Sequence, residues 1–160
     1  MNPLRTTLLA ACALGVLVPI VALPATAAAD DGPQQFQSPS GDIRCLLEPS
    51  RTSAPVALCQ IKHHTYVVPP GAPRDDVTGG ACPPGANAGG DFRLDQGEAG
   101  FIRCTYSALG SGTGFWPVLD YGQTRTLGPI SCASEPSGMR CTDISTGHYF
   151  RVSDDAYELG

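Results

Sequence analysis

The cysteines constrain this chain more than any other feature of its sequence. The chain has seven of them, and six fall after residue 40 with no C-x-x-C pair and no paired His/Cys spacing. Zinc sites normally use such pairs, so a disulfide framework is the stronger interpretation than a zinc site. An even set of cysteines in an exported chain predicts disulfides, here three, formed by Cys45, Cys59, Cys82, Cys104, Cys132 and Cys141.

The first residues indicate export. Arg5 precedes an apolar run over residues 8–23, and small residues then offer two A-x-A sites. This order is typical of a cleavable secretory signal. We therefore expect a signal peptide over residues 1–29, with cleavage after Ala27 or Ala29.

A competing motif lies inside this leader. L-A-A-C at residues 9–12 matches a bacterial lipobox, in which Cys12 becomes the lipidated N-terminus. Cleavage there would leave a short apolar run before the cut and a long apolar tail after it, so we favour an unmodified Cys12. Residues 30–160 then form one domain, which contains no stretch apolar enough to span a bilayer.

The charge of the chain narrows the possible partners. The net charge is −5 at pH 7, and Lys62 is the only lysine. Nucleic acids and anionic membrane surfaces require a dense positive patch. The sequence therefore predicts no nucleic-acid partner and leaves a protein or an envelope component.

Turn residues punctuate the chain every few positions, and the runs between them are rich in β-branched and aromatic residues. Many short strands at tight spacing predict an all-β fold, either a small antiparallel sandwich or a barrel. The predicted strands cover residues 35–38, 42–47, 56–61, 66–68, 92–94, 101–106, 116–119, 124–127, 130–133, 138–143, 148–152 and 157–159.

A short pattern recurs three times. It reads G-D-I-R-C at 41–45, G-F-I-R-C at 100–104 and G-M-R-C at 138–141. In a strand, the apolar residue and the cysteine share one face and the arginine lies on the other. The pattern indicates either three hairpins, each closed by its own bridge, or a chance recurrence.

Local geometry suggests how the cysteines pair. Cys132 and Cys141 flank a Pro-Ser-Gly turn, and Cys45 and Cys59 lie in two apolar runs separated by a polar segment. A hairpin would place each pair opposite one another. The third bridge is then Cys82–Cys104, which would tether a Pro/Gly-rich loop at residues 69–90. Long loops of this kind are functional or disordered, and the bridge argues against full disorder.

No residue pattern in the chain indicates catalysis or a cofactor. His63 and His64 are neighbours and would point to opposite faces of a strand, which disfavours a shared metal. The glycine-rich run at 110–114 matches neither a nucleophile elbow nor a dinucleotide fingerprint. Trp116 and Tyr121 follow this run, and with His148 they form a possible surface site; core packing is the alternative for the aromatic residues.

Several segments together resemble a secreted domain family of actinobacteria that has paired cysteines and no known activity. The resemblance is carried by F-Q-S-P-S-G-D-I-x-C at 36–45, Y-G at 121–122, I-x-C at 130–132, S-G-M-x-C-T at 137–142, T-G-H-x-F-x-V-S at 146–153, and Tyr157. It implies an extracytoplasmic location and a bridged architecture, and it implies no catalytic residues. The insertion around Cys82 departs from the pattern.

The sequence thus favours a non-enzymatic envelope or extracellular module that binds a protein partner, with no cofactor and no metal. Two alternatives remain open. One is a hydrolase acting on envelope material with His148 as its base. The other is a secreted protease inhibitor that presents the loop at 69–90.

Overall fold

The computed structural model describes residues 32–74, 82–87, 89–110 and 114–160; the predicted signal peptide lies outside them. Within these residues there is no helix, and ten strands form two antiparallel sheets of five. The predicted all-β class is therefore confirmed. The strands are β1 (Gln34–Gln37), β2 (Ile43–Pro49), β3 (Pro55–Ile61), β4 (Asp91–Asp95), β5 (Phe101–Ile102), β6 (Thr124–Leu127), β7 (Ile130–Glu135), β8 (Gly138–Asp143), β9 (Tyr149–Val152) and β10 (Tyr157–Leu159).

Each sheet is a simple meander. The strand order is β1-β2-β3-β4-β5 in the first sheet and β10-β9-β8-β7-β6 in the second. Burial alternates along the strands: in β2, Ile43, Cys45 and Leu47 are buried and the residues between them are only partly so. This period of two directs one face of each sheet into a shared core, in which the rings of Phe92 and Phe150 lie 5.8 Å apart.

Two disulfides occupy the middle of this core. Cys45 and Cys59 are directly opposed on β2 and β3, and Cys132 and Cys141 are directly opposed on β7 and β8. All four side chains are fully buried. The Sγ atoms of Cys59 and Cys141 are 3.7 Å apart, so the two bridges touch across the interface between the sheets.

The third bridge joins Cys82 to Cys104, which confirms the predicted pairing of all six cysteines. Cys104 follows the short strand β5, and Cys82 lies outside any strand. This bridge therefore tethers a loop instead of closing a hairpin. The three-hairpin interpretation is right for two bridges and wrong for the third.

Two predicted strands do not form. Residues 66–68 belong to no strand, and residues 116–119 contribute one isolated parallel bridge between Val118 and Gln37. Pro117 explains the second, because it has no N–H to donate to a ladder, and Pro69 and Pro70 stop a strand from extending beyond the first. The second segment bonds to Gln37 of β1, and the two segments pack Tyr66, Val68 and Leu119 against the main core.

A second, smaller core covers the outer face of the first sheet. Val56 and Leu58 of β3 point away from the main core and pack with Leu109 and Trp116 from the connection between β5 and β6. The guanidinium of Arg44 lies 5.4 Å from the centre of the Trp116 ring. Leu109 and the residues around Trp116 are thereby fixed to the sheet.

Candidate functional site

A cleft of about 480 Å³ opens at one end of the sandwich. Five separate pieces of chain form its walls: the β1–β2 turn, the end of β3 with the residues after it, Tyr121 of the connection between β5 and β6, the β7–β8 turn and the β9–β10 turn. Strands that run antiparallel bring these pieces to the same end of the two sheets. A cleft of this size is in the usual range for a ligand pocket.

One wall carries a paired acid and base. The Asp42 carboxylate lies 2.7 Å from Nδ1 of His63 and also accepts the backbone N–H of His63 at 3.3 Å. The turn is held by serine hydroxyls: Ser38 Oγ accepts from the N–H of Ile43 at 3.1 Å and lies 3.0 Å from Ser40 Oγ. The side chain of His63 is 84% exposed, so this pair lies at the rim and not at the floor.

The opposite wall is acidic and holds a buried serine. Glu135 of the β7–β8 turn and Asp154 of the β9–β10 turn both line the cleft. Ser134, also on the wall, is only 1% exposed. Its backbone N–H and carbonyl bond to Gln123 and Gly122, whereas its hydroxyl has no hydrogen-bond partner among the residues that the structure describes.

A surface segment leads from the second core to this cleft. We call residues 114–121 the strap. Gln37 donates to the carbonyl of Pro117 at 2.9 Å and accepts from the N–H of Leu119 at 2.8 Å. The strap buries Trp116 and Leu119 and exposes three large side chains: Phe115 at 80%, Val118 at 46% and Tyr121 at 55%.

The other end of the sandwich is built around Asp143, which is fully buried. Its carboxylate accepts from the N–H of Gly97 at 2.7 Å and from the N–H and hydroxyl of Ser145 at 2.9 and 2.5 Å. Burial acts to raise the pKa of Asp143, but these hydrogen bonds and one from Thr146 outweigh it and hold the pKa below its ordinary value. The carboxylate joins the β4–β5 turn to the β8–β9 turn.

The three residues of the predicted surface site lie in three different places. Trp116 is buried in the second core, Tyr121 lines the cleft, and His148 follows the β8–β9 turn at the opposite end. The ring of His148 has no hydrogen-bond partner within the described residues. A role in binding stays a prediction for each of the three.

The loop at 69–90 is described only in part, because residues 75–81 and 88 lie outside the described ranges. Its first part runs beside β5, where the carbonyl of Pro73 accepts from the N–H of Ile102 at 2.9 Å. Tyr66, which precedes the loop, donates to the carbonyl of Gly89 at 2.6 Å. Burial, together with the neighbouring Tyr157, raises the pKa of Tyr66.

Across the described ranges, one group of three or more side chains places its potential metal-ligand atoms close together. It consists of Cys45, Cys59 and Cys141, whose sulfur atoms lie within 4.8 Å of one another. All three are in disulfides, and only the thiolate form of cysteine binds metals.

Sequence reasoning missed the cleft itself, although it named Tyr121. The cleft residues come from turns that are far apart in the chain, and each turn taken alone is an ordinary polar turn. One signal was available, since Pro-Ser-Gly turns at 39–41 and 136–138 precede strands of the recurring pattern. Both turns lie at the cleft.

The fold and its bridges define a disulfide-stapled β-sandwich with a polar cleft at one end. A family model described as a family of unknown function (DUF6636) matches residues 15–159, and the chain belongs to this family. The match agrees with the resemblance to an uncharacterised family. No curated protein and no solved structure matches the chain.

Two further findings bear on location. Among the described residues, no helix is long and apolar enough to cross a bilayer. The three disulfides are compatible with an extracytoplasmic protein.

Proposed function

We propose that this protein is an exported, non-enzymatic module of the actinobacterial envelope or extracellular space that binds a protein partner. The observation that carries the proposal is that the strap exposes three large apolar side chains within one short segment, those of Phe115, Val118 and Tyr121. Large apolar side chains grouped on a surface are typical of protein-binding sites.

The strap is suited to binding because it is fixed before any partner arrives. Trp116 and Leu119 anchor it from below, and the side chain of Gln35 donates to the carbonyl of Phe115 at 2.7 Å. Side chains held on a rigid segment lose little conformational entropy on association. The same anchors that bury two residues force Phe115 and Val118 outward.

The hydrolase alternative has less support. An enzyme needs a concave site where a base meets an acid or a hydroxyl. His148 lies away from the cleft and its ring has no hydrogen-bond partner among the described residues, and His63, which does have an acid partner, is largely exposed at the rim. The protease-inhibitor alternative depends on the loop at 69–90, of which the structure describes residues 69–74, 82–87, 89 and 90.

Site-specific photocrosslinking in the native host tests the proposal. We expect a photoreactive amino acid at Val118 to give one discrete protein adduct, and the adduct to disappear when Phe115 and Tyr121 are replaced by serine. The matched control places the same crosslinker at Ile144, which is 69% exposed at the opposite end of the sandwich. Equal adducts from both positions, or none from Val118, would contradict the proposal.

A further inference from the structure

We infer that the end cleft binds a lysine or arginine side chain of the protein partner, with the cation held between Glu135 and Asp154. The inference rests on the proposed function and deepens it, because it names the group that the cleft recognises.

The first observation is the unused hydroxyl of Ser134. Ser134 is only 1% exposed, and the part of its hydroxyl that solvent reaches opens into the cleft. The backbone groups of Ser134 are bonded, and its side chain lines the cleft without a partner in the described part of the chain. A hydroxyl has two acceptor lone pairs, so an N–H donor entering the cleft would satisfy it.

The second observation is the charge of the walls. The carboxylate of Asp154 has no hydrogen-bond or ion-pair partner among the described residues, and Glu135 uses one oxygen, which accepts from the hydroxyl of Ser137 at 2.9 Å. Neither acid therefore forms a direct ion pair among the described residues, and both can receive a cation.

The neighbouring bases are bonded to other acceptors, although the charge of Glu135 also acts on Arg151 from a distance. His63 is paired with Asp42, Lys62 donates to the carbonyl of Gly41 at 3.0 Å, and Arg151 is bonded to Glu158 at 3.0 Å and to the carbonyl of Ser137. Each local cation thus has its own acceptor. The net charge of the groups that line the cleft is therefore negative.

The remaining lining suits the stem of a long basic side chain. Ile43, Ile61 and Pro136 provide apolar surface beside the polar groups, and Tyr121 presents a half-exposed ring at the mouth. Lysine and arginine bury their methylene stems on apolar surface while the charged end meets polar groups. An aromatic ring also attracts a nearby cation.

NMR titration of the isotope-labelled protein with defined peptides tests the inference. The probes are hexalysine and hexaarginine, with hexaglutamate and hexaserine as peptide controls and glucosamine as a non-peptide ammonium. We expect the two basic peptides to shift the amide signals of Ser134, Glu135 and Asp154. The other peptides carry no cation, and glucosamine holds its ammonium on a polar sugar ring without an apolar stem, so all three should leave these signals unchanged.

Charge-matched variants assign the effect to the cleft. Replacing both acids (E135Q with D154N) should weaken peptide binding roughly tenfold, and Ser134→Ala should weaken it roughly threefold. The control variant E48Q with E98Q removes two charges at the opposite end and should bind as the wild type does. Equal weakening in this control, or peptide shifts spread evenly over the surface, would overturn the inference.

The two proposals fail separately. If the Val118 adduct forms and survives the E135Q/D154N change while the basic peptides bind nowhere in the cleft, the cleft inference is wrong and the protein-binding module stands. If the basic peptides bind the cleft but Val118 gives no adduct, the cleft recognises a cation and the proposed function of the strap is wrong. Binding of glucosamine as tight as that of hexalysine would replace the peptide side chain by an amino sugar and overturn the inference.

Discussion

At the scale of single residues, Asp143 shows how a buried charge can stabilise a fold. Its carboxylate is fully buried, yet four hydrogen-bond donors surround it, from Gly97, Ser145 and Thr146. Desolvation of a charge is costly unless such partners replace water. The donors belong to two turns that are far apart in sequence, so the carboxylate fixes one end of the sandwich.

We expect Asp143→Asn to destabilise the protein by roughly 2 kcal/mol or more, because an amide N–H₂ would face backbone N–H donors and the remaining hydrogen bonds lose their charge. Urea unfolding measures the loss. The matched control is Asp120→Asn on an exposed turn, which should change the free energy of unfolding little. A variant as stable as the wild type would show that the carboxylate does not hold the two turns.

The lowered pKa of Asp143 also predicts how stability depends on pH. The folded pKa lies below the unfolded one, so the contribution of Asp143 is complete above the unfolded pKa, about 4, and is lost as pH falls through the folded pKa. We expect the wild type to lose more stability than Asp143→Asn between about pH 5 and pH 2. Urea unfolding at a series of pH values gives the free energy of unfolding of both proteins as a function of pH. Parallel curves for the two proteins would show that Asp143 does not cause this pH dependence.

At the scale of elements, the sequence predicts the strands well but wrongly predicts strands in two further segments. Alternation of apolar residues and turn glycines marks β2, β7 and β8 in the sequence, because these strands bury one face. Residues 66–68 and 116–119 have the same strand-like composition but pack against the main core without forming a strand. Proline inside or next to them is a signal but not a decisive one, because β2 ends on Pro49 and β3 begins on Pro55.

The β7–β8 turn offers a prediction at this scale. Gly138 has φ +122°, and a Cβ there would lie 2.2 Å from the carbonyl oxygen of Val152. That oxygen is backbone in the neighbouring strand β9, so the strands must separate to make room. We expect Gly138→Ala to cost about 3 kcal/mol or more, since overpacking adds to backbone strain.

Gly147 is the matched control for this turn. It has φ +84°, and a Cβ added there would meet no atom within 4 Å, so Gly147→Ala carries the backbone strain without the clash. We expect a loss of about 1 kcal/mol there. Thermal and urea unfolding of both variants separate the two effects, and equal losses would show that the contact with Val152 is relieved cheaply.

At the scale of the whole molecule, the two buried disulfides hold the sheets together by packing against each other, although neither disulfide links one sheet to the other. Each links neighbouring strands of one sheet, and the 3.7 Å contact between Cys59 and Cys141 places them against each other. The pairing was predictable from local hairpin geometry. The contact was not, because it depends on how the two sheets are stacked.

The three disulfides therefore differ in what they contribute, and their removal tests this. Sequence separations of 14, 22 and 9 residues give chain-entropy contributions of about 3 kcal/mol for each bridge, largest for the longest loop, Cys82–Cys104. Packing gives the opposite order, because replacing Cys45 and Cys59, or Cys132 and Cys141, by alanine empties space at the centre of the core and adds a cavity cost of roughly 2 kcal/mol.

A domain of this size is stable by only about 5–15 kcal/mol, so C45A/C59A and C132A/C141A should lie near the limit of folding while C82A/C104A still unfolds cooperatively in urea. Circular dichroism identifies any variant that no longer folds, and such a variant is ranked as having lost the most stability. If C82A/C104A proves the least stable of the three, loop entropy outweighs core packing and the two touching bridges are not the centre of stability.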